Sequence, residues 1–303
     1  MNLNFMVCYP KCVVIEEQGL RDGLQSENRI IPTPKKQAII ATLLKAGLKR
    51  IQVTAFVHPN LVPQLADAKI LCRQLDHTQN VVYSGLVLNL KGLQRAVDAG
   101  LRHVAISISA SDTHSRKNAN ASLSEAQKKF QEMVKTAKRY GLSIRGGLQC
   151  VFGCRFEGRV DPNLVLDLVK LQLDHEVDEI ALADSTGMAH PNNIQQIASQ
   201  VMALSGEKPV FLHLHDTEGK GLANVLAAMS VGVSHFDTAF GGMGGCPFIK
   251  GASGNIATED LIHMLGQMGI ETGIDIQNIA AVSRDLEAFM GRSFSGKMHK
   301  LFA

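Results

Sequence analysis

The stretch EIALADSTGMAHPNNIQQIASQVMALSGEKPVFLHLHDTEGKGLANVLAAM, residues 179–229, contains the pattern that decides the fold. Two short runs, Glu179–Asp184 and Val210–His215, have the nearly continuous apolar character of parallel strands that are buried on both faces. Each run is followed by a segment with the 3.6-residue apolar period of an amphipathic helix, at Asn192–Leu204 and Gly221–Met229. The stretch is therefore predicted to form two strand–helix units.

The same alternation of strand and helix continues on both sides of this stretch. Six further β-branched, apolar runs bring the number of predicted strands to eight: Val13–Gln18, Ile51–Phe56, Val81–Val87, His103–Ser109, Ile144–Val151 and His235–Phe240. Four further segments have the helical period: Pro34–Ala46, Leu123–Tyr140, Asn163–Leu173 and Ile276–Met290. Ser122 and Asp275 are placed to cap the second and the fourth of these helices. Eight strand–helix repeats favour a closed (β/α)8 TIM barrel.

An open, doubly wound sheet is the alternative architecture. Such a sheet usually carries a GxGxxG or GxxxxGK[ST] motif at its first strand–helix turn. The turn after the first predicted strand reads GLRDGLQ at residues 19–25 and matches neither motif. We therefore expect one catalytic domain over residues 1–303, with the barrel at about 13–270 and a C-terminal helical extension at about 271–303.

The composition excludes several classes of protein. It is 45% hydrophobic and 19% charged, which is typical of a soluble globular protein. A net charge of +3 without a long run of Lys or Arg gives no support for a nucleic-acid or membrane-surface partner. We find no signal-peptide pattern and no apolar run of the ~18 residues that a membrane span needs. Six cysteines without a disulfide or CxxC pattern indicate free thiols in a reducing cytoplasm.

Polar residues collect where the predicted strands end, which is where TIM barrels carry their active sites. His213 and His215 are separated by one residue at the end of the seventh strand, so both imidazoles face the same side. For an isolated HxH motif, two hydrogen-bonded core histidines are the better interpretation. Asp22, after the first strand, favours a metal site instead, because it can supply a carboxylate from the opposite wall. Asn255 could add an amide oxygen. Such N and O ligands suit Mg²⁺ or Mn²⁺ rather than a structural zinc.

Other polar residues have both a structural and a functional interpretation. Arg21 forms a salt bridge at the rim, or it stabilises negative charge that develops on a carbonyl oxygen. Cys246, in a loop with five glycines within residues 241–251, is a buried thiol or a proton carrier on a mobile flap. Arg116–Lys117–Asn118 is a solvated cluster or a contact for the phosphates of a coenzyme A tail. Three histidines are predicted to be solvated in loops: His58, His114 and His190.

Five segments together resemble the 3-hydroxy-3-methylglutaryl-CoA lyases of the DRE-TIM metallolyase superfamily. These segments are GLRDGLQSE (19–27), VTAFVHPNLVPQLADA (53–68), VFGCRFEG (151–158), HLHDTEGKGLAN (213–224) and GGMGGCPFIKGASGNIATEDL (241–261). They cover nearly the whole chain in the family's order and spacing. The resemblance implies a TIM-barrel homodimer that uses Mg²⁺ or Mn²⁺ to cleave an acyl-CoA.

Carried over residue by residue, the resemblance also implies roles in the site. It implies four metal ligands: Asp22, His213, His215 and Asn255. Arg21 would stabilise an enolate, and Cys246 would act as an acid or base on a mobile loop. Asp184 and Gln25 would be supporting polar residues around the same opening. The implied reaction is a retro-Claisen cleavage in which a base, for which His213 is a candidate, removes the 3-hydroxyl proton.

The sequence departs from the family pattern at two positions expected to face the substrate. Gln52 stands where the lyases usually carry Glu, and Gly147 stands where they usually carry Tyr. Gln52 lacks the negative charge but keeps hydrogen-bonding capacity. Loss of the ring at Gly147 leaves space for water, a neighbouring side chain or a larger substrate. We therefore hypothesise that the lyase chemistry persists on an acyl group with a bulkier or differently charged substituent at C3.

Two other functions are compatible with the same motifs. The first is another enzyme of the superfamily, either a Claisen condensing enzyme of the isopropylmalate synthase type or a keto-acid aldolase. The second is a non-catalytic barrel that keeps its metal as a structural element. The glycine-rich loop around Cys246 favours the lyases over the condensing enzymes, and the retained Arg21 and ligand set disfavour a non-catalytic barrel.

Overall fold

Eight parallel strands form a closed barrel in the order β1 to β8, in a computed structural model that describes residues 8–78, 80–245 and 254–302. The strands are β1 (Val14–Glu17), β2 (Arg50–Ala55), β3 (Val82–Val87), β4 (His103–Ser109), β5 (Ser143–Gln149), β6 (Glu179–Ala183), β7 (Val210–His213) and β8 (His235–Thr238). β8 pairs with β1, which closes the sheet. The predicted (β/α)8 architecture is confirmed.

Helices follow the strands and surround the barrel. The helices are α1 (Thr33–Lys45), α2 (Ala68–Arg73), α3 (Leu90–Asp98), α4 (Asp112–Ala119), α5 (Leu123–Arg139), α6 (Pro162–Asp174), α7 (Pro191–Ser205), α8 (Gly221–Met229), α9 (Thr258–Gln267), α10 (Ile276–Met290) and α11 (Met298–Leu301). The two predicted caps are confirmed: Ser122 forms a capping box with Glu125 at α5, and the Asp275 side chain accepts the Gln277 N–H at α10. No described helix is long and apolar enough to cross a membrane.

Strands β1, β2 and β6 end one residue earlier than the sequence predicts, and β5, β7 and β8 end two residues earlier. Ala183 is the last residue of β6 that pairs with β7, and His213 is the last residue of β7 that pairs with β8. His215 leaves the sheet because it forms an isolated bridge with Asn255 instead. The apolar pattern continues past the last ladder hydrogen bond because the residues beyond it are also buried.

Helix α4 corrects the prediction that the residues after the fourth strand form a solvated loop. The Ser111 side chain accepts the His114 N–H and caps this helix. His114 is buried, and its Nδ1 lies 3.1 Å from the Ser109 hydroxyl, so the prediction that it is solvated is wrong. His58 and His190 are exposed, as predicted. The helix is mostly polar, which hides its short buried face from a search for apolar periodicity.

A buried ion-pair network fills the barrel interior below the carboxyl ends of the strands. The Arg145 guanidinium pairs with Glu16 at 2.6 Å, Asp237 at 2.9 Å and Glu179 at 3.0 Å. Arg50 on β2 also pairs with Glu16 on β1 and with Glu179 on β6. Buried charges persist in proteins when they are paired in this way. The network forms a charged floor beneath the polar residues at the barrel mouth.

Candidate active site

Three predicted ligands converge at the barrel mouth. One side-chain ligand atom from each of Asp22, His213 and His215 lies within 4.8 Å of the other two, and all three residues are buried. The Asp22 Oδ2 atom is 3.9 Å from the Nε2 atom of each histidine, and the two Nε2 atoms are 3.3 Å apart. One carboxylate oxygen and two imidazole nitrogens therefore face a common point.

A short π-helix, Gly19–Gly23, sets the position of Asp22. The backbone N–H groups of Arg21, Asp22 and Gly23 all donate to the carbonyl oxygen of Gln18, so the chain turns tightly after β1. π-Helical turns are rare and occur frequently at functional sites. Here the turn buries Asp22 and leaves Arg21 partly accessible beside it.

Asn255 completes the set of predicted ligands. Its Nδ2 donates to Asp22 Oδ2 at 2.7 Å and to the Met243 carbonyl oxygen at 2.9 Å. Its Oδ1 is buried and has no hydrogen-bond partner among the described residues. A buried amide oxygen without a partner is costly, and coordination of a cation would satisfy it. Two imidazole nitrogens, a carboxylate and an amide oxygen fit a divalent ion such as Mg²⁺ or Mn²⁺.

The surroundings of Asp22 and His215 shift their pKa values toward the forms that bind a cation. Burial alone would raise the pKa of Asp22, but Arg21 and the two histidines outweigh it and hold this pKa far below its usual range. Burial, together with the neighbouring His213, lowers the pKa of His215 to about 4. At neutral pH the site therefore offers an ionised carboxylate and a neutral His215 imidazole, which are the ligand forms that metals bind.

Arg21 is held by three polar side chains. Its Nε donates to Gln52 Oε1, its NH1 group pairs with Asp22, and its NH2 group donates to Gln18 Oε1 at 2.9 Å. The Gln25 Nε2 atom donates to the same Asp22 oxygen as Arg21, Oδ1, at 3.0 Å. These contacts orient the guanidinium before any ligand arrives.

A cavity of about 370 Å³ opens beside these residues. It is lined by eight residues of the predicted site: Arg21, Asp22, Gln25, Gln52, Asn118, Gly147, His213 and His215. On the side of β4 to β6 five small residues line it, Ala105, Ser107, Gly147, Ala181 and Ala183, together with the larger β5 residues Arg145, Leu148 and Gln149. A Cβ atom added to Gly147 would lie 2.9 Å from the Ser107 Cβ, so the two strands approach closely there.

Comparison with known proteins identifies the family of the chain. A family model described as HMGL-like matches residues 13–286. The chain belongs to the HMGL-like family. It is 42% identical over 271 residues to the mitochondrial hydroxymethylglutaryl-CoA lyase of Bos taurus, covering 89% of this chain and 83% of that protein. It is 37% identical over 294 residues to a hydroxymethylglutaryl-CoA lyase of Bacillus subtilis, covering 97% of this chain and 98% of that one.

Solved structures of the family have the same architecture. The Bacillus subtilis HMG-CoA lyase matches with a TM-score of 0.91 at 37% identity, over 97% of this chain and 99% of that one. An HMG-CoA lyase from Acinetobacter baumannii, solved with coenzyme A and 3-methylmalate, matches with a TM-score of 0.91 at 40% identity, over 96% and 95%. The resemblance predicted from the motifs is confirmed, and so is the enzyme class, a carbon–carbon lyase of the hydroxymethylglutaryl-CoA lyase type.

Asp184 and Asn118, two further residues of the predicted site, are not among the clustered ligands. Asp184 is fully buried after β6, where its Oδ2 accepts the Ala189 N–H at 3.1 Å, and burial raises its pKa to about 6. Its neighbours Ala183 and Ser185 line the cavity, and its predicted catalytic role stays a prediction. Asn118 is exposed on α4, with its Nδ2 3.4 Å from Gln149 Oε1.

Cys246 lies outside the described residues, so its predicted acid–base role stays a prediction. The described start of its loop reaches the ligand cluster at Gly244, which has φ +100°. A Cβ atom there would lie 2.6 Å from Asn255 Nδ2 and 2.9 Å from Asp22 Oδ2. Only glycine accepts both this conformation and this approach. The loop that carries Cys246 therefore begins against the proposed ligands.

Two charged residues of the cavity, Arg145 and Asp237, are not predicted from the sequence. Asp237 lies opposite His213 in the pairing of β7 with β8. Burial would raise the pKa of Asp237, but Arg145 and His213 hold it below its usual value. A charged residue inside an apolar strand was the available indication, because such residues are rarely buried without a partner.

Proposed function

We propose that this chain is a divalent-metal-dependent lyase that cleaves 3-hydroxy-3-methylglutaryl-CoA, or a related 3-hydroxyacyl-CoA, by retro-Claisen chemistry. The products would be acetyl-CoA and a keto acid or ketone. The observation that carries the proposal is the cluster of Asp22, His213, His215 and Asn255 beside Arg21 at an open cavity. The names of the relatives support the same reaction.

The four clustered side chains would hold Mg²⁺ or Mn²⁺. When bound there, a divalent cation would polarise substrate oxygens and make the 3-hydroxyl more acidic. Asp22 supplies a negative charge, and the Asn255 Oδ1 atom supplies a dipole without a competing hydrogen bond among the described residues. The Asn255 amide also fixes the carboxylate by donating to Asp22 Oδ2.

Arg21 would stabilise the enolate that forms when the C2–C3 bond breaks. Electron density from that bond moves onto the thioester oxygen, and a fixed cation nearby stabilises this charge without reorganisation. Contacts with Gln18, Gln52 and Asp22 hold the guanidinium in place beforehand. Gln52 provides its oxygen to Arg21 without adding a negative charge, so the cation faces less competition for the enolate.

Two proton transfers balance the reaction. The 3-hydroxyl loses its proton to a base as its oxygen becomes a carbonyl, and C2 of the enolate gains a proton to give the acetyl group. His213 was predicted as a candidate base, but its Nε2 lies among the ligand atoms, so it has little free basicity as a ligand. Cys246 or a water molecule would return the proton to C2.

The cavity wall bears on which acyl-CoA is cleaved. Ala105, Ala181 and Ala183 line the cavity with small side chains, which would leave room for a C3 substituent larger than methyl. The position of a Gly147 side chain is not part of this room, because a Cβ atom there would lie 2.9 Å from the Ser107 Cβ. Arg116 and Lys117 follow β4 on the same helix as Asn118, where they could contact the phosphates of coenzyme A. The Acinetobacter baumannii relative was solved with coenzyme A, which supports a coenzyme A thioester as the substrate.

A panel of 3-hydroxyacyl-CoA thioesters, incubated with Mg²⁺ or Mn²⁺ and scored for acetyl-CoA release, tests the substrate. Best turnover on a thioester with a larger or differently charged C3 substituent would support an altered acyl group. Gln52→Glu, and Gly147→Tyr combined with Ser107→Gly to make room for its Cβ, should then shift the preference toward 3-hydroxy-3-methylglutaryl-CoA. Best turnover on that thioester, with both variants neutral, would contradict the altered acyl group and leave the lyase reaction in place.

The same panel separates the other functions. A Claisen condensing enzyme or keto-acid aldolase would leave the thioesters intact and act on a keto acid instead. A non-catalytic barrel would bind metal without any change in thioester absorbance. The homodimer and the cytoplasmic location, both predicted without structural support, stay predictions that light scattering and cell fractionation would test.

A further inference from the structure

Asp237 is a buried carboxylate at the base of the cavity that contacts one of the proposed metal ligands. It is 4% exposed, and it lies on β8 directly opposite His213 on β7. Its Oδ2 lies 3.3 Å from His213 Nδ1, and its Oδ1 accepts a hydrogen bond from Arg145 at 2.9 Å. The carboxylate therefore bridges the buried cation of the barrel floor and the imidazole at the barrel mouth.

Arg145 fixes the far side of this bridge. Its NH2 group donates to Glu16 at 2.6 Å, its Nε donates to Glu179 at 3.0 Å, and its guanidinium lies 3.6 Å from the ring centre of Phe211. An arginine held by three carboxylates and an aromatic face has little freedom to move. The third nitrogen of the guanidinium, NH1, therefore sets where the Asp237 Oδ1 atom must lie.

The bridge has a consequence for the His213 tautomer. An ionised carboxylate only accepts hydrogen bonds, so His213 Nδ1 must carry a hydrogen, and in the neutral imidazole that metals bind the lone pair is then on Nε2. That Nε2 faces Asp22 and His215. His215 differs, because its Nδ1 is buried and has no hydrogen-bond partner among the described residues. Of the two histidines, His213 is the one with a carboxylate on Nδ1.

We propose that Asp237 is a positioning residue that fixes the tautomer and orientation of His213 for metal binding, with Arg145 holding Asp237 in place. The proposal rests on the metal site of the proposed function. Carboxylates in this position raise the basicity of a histidine ligand, and their loss typically costs about 10–100-fold in metal affinity or activity. Asp237 acts through His213 and needs no contact with the substrate.

Asp237→Asn is the informative substitution because it keeps the shape and inverts the hydrogen bond. Arg145 can only donate, so it would take the amide oxygen and turn the NH2 group toward His213 Nδ1. Nδ1 would then have to accept, and the hydrogen would move to Nε2, where it blocks coordination. Glu179→Gln is the matched control. It removes the negative charge of another carboxylate that Arg145 contacts, and this carboxylate does not contact His213.

The test is Mn²⁺ binding to chelator-treated protein, measured by calorimetry without substrate. We expect the Mn²⁺ dissociation constant to rise about 10–100-fold in Asp237→Asn and to change less than about threefold in Glu179→Gln. A folded Asp237→Asn variant with wild-type Mn²⁺ affinity would overturn the proposal. A wild type that binds Mn²⁺ but cleaves no thioester would overturn the proposed function instead.

A second measurement holds even if Asp237→Asn does not fold. Wild-type protein labelled with ¹⁵N-histidine reports the tautomer directly, and the His213 signals can be assigned by their loss in His213→Gln. We expect a protonated Nδ1 and an unprotonated Nε2 for His213 in the metal-free protein. An unprotonated Nδ1 would overturn the proposal.

Discussion

Substitution of Glu17 by Gln tests how one buried carboxylate makes the free energy of unfolding depend on pH. Glu17 is the last residue of β1 and is fully buried. Its Oε1 accepts the N–H groups of Gly19 at 2.7 Å and Phe240 at 3.0 Å, and its Oε2 accepts the Thr258 hydroxyl at 2.6 Å. One side chain thus joins the π-helix that carries the proposed ligand Asp22 to both ends of the glycine-rich loop.

The magnitude follows from the pKa of Glu17. Burial raises it from the ordinary 4.5 to about 7, because the three hydrogen bonds only partly offset the cost of desolvating the charge. The difference between these pKa values corresponds to about 3 kcal/mol. Since the folded state binds the proton more tightly, this contribution is complete below pH 4.5 and is lost as the pH rises through about 7.

Urea denaturation of the wild type and Glu17→Gln between pH 5 and pH 8 measures this contribution. Relative to the variant, the wild type should lose most of about 3 kcal/mol of unfolding free energy over that range. Glu132→Gln, on the exposed face of α5, is the control and should follow the wild type. A difference between wild type and Glu17→Gln that stays constant within about 1 kcal/mol would refute the reasoning.

Three further predictions concern the site itself. Arg21→Met should lower kcat by about 10²–10³ while Mn²⁺ still binds, because a fixed cation for the enolate is lost; equal kcat values would contradict its role. Asn255→Ala should weaken Mn²⁺ binding at least about tenfold, because it removes the Oδ1 ligand and the hydrogen bond from Nδ2 to Asp22. A hydrogen bond to a charged group contributes about 1.5–3 kcal/mol. Gly147→Ala should lower the free energy of unfolding by about 1–3 kcal/mol because its Cβ would crowd Ser107, and Ser107→Gly in the same chain should restore it. Urea denaturation checks the last prediction, and an Ala variant as stable as the wild type would contradict it.

The fold could be predicted because its information is local. Each strand and most helices have a period that can be read within about ten residues, and the count of repeats then gives the barrel. Helix α4 was missed because it is short and mostly polar, so capping by Ser111 defines it more than any apolar face does. The ends of β6 and β7 were misplaced because they depend on pairing with neighbouring strands.

The site could be predicted only in part. His213 and His215 are close in sequence, and strand alternation places them together. The proximity of Asp22 and Asn255 to these histidines was predicted from the resemblance, and from the rule that the parallel strands of a barrel all end on the same side. The contact of Asp237 with His213 depends on the register between two strands, and the clamp on Arg145 depends on four strands at once. Such contacts have no trace in the spacing of residues along the chain.

The most direct test is the cleavage of 3-hydroxy-3-methylglutaryl-CoA by chelator-treated protein, with and without added Mn²⁺. Chromatography of the products should show acetyl-CoA and acetoacetate in equal amounts when Mn²⁺ is present, and neither product when it is absent. Product formation in the absence of any divalent cation would contradict a metal-dependent lyase built on Asp22, His213, His215 and Asn255. Failure to cleave this or any related 3-hydroxyacyl-CoA in the presence of Mn²⁺ would contradict the lyase reaction itself.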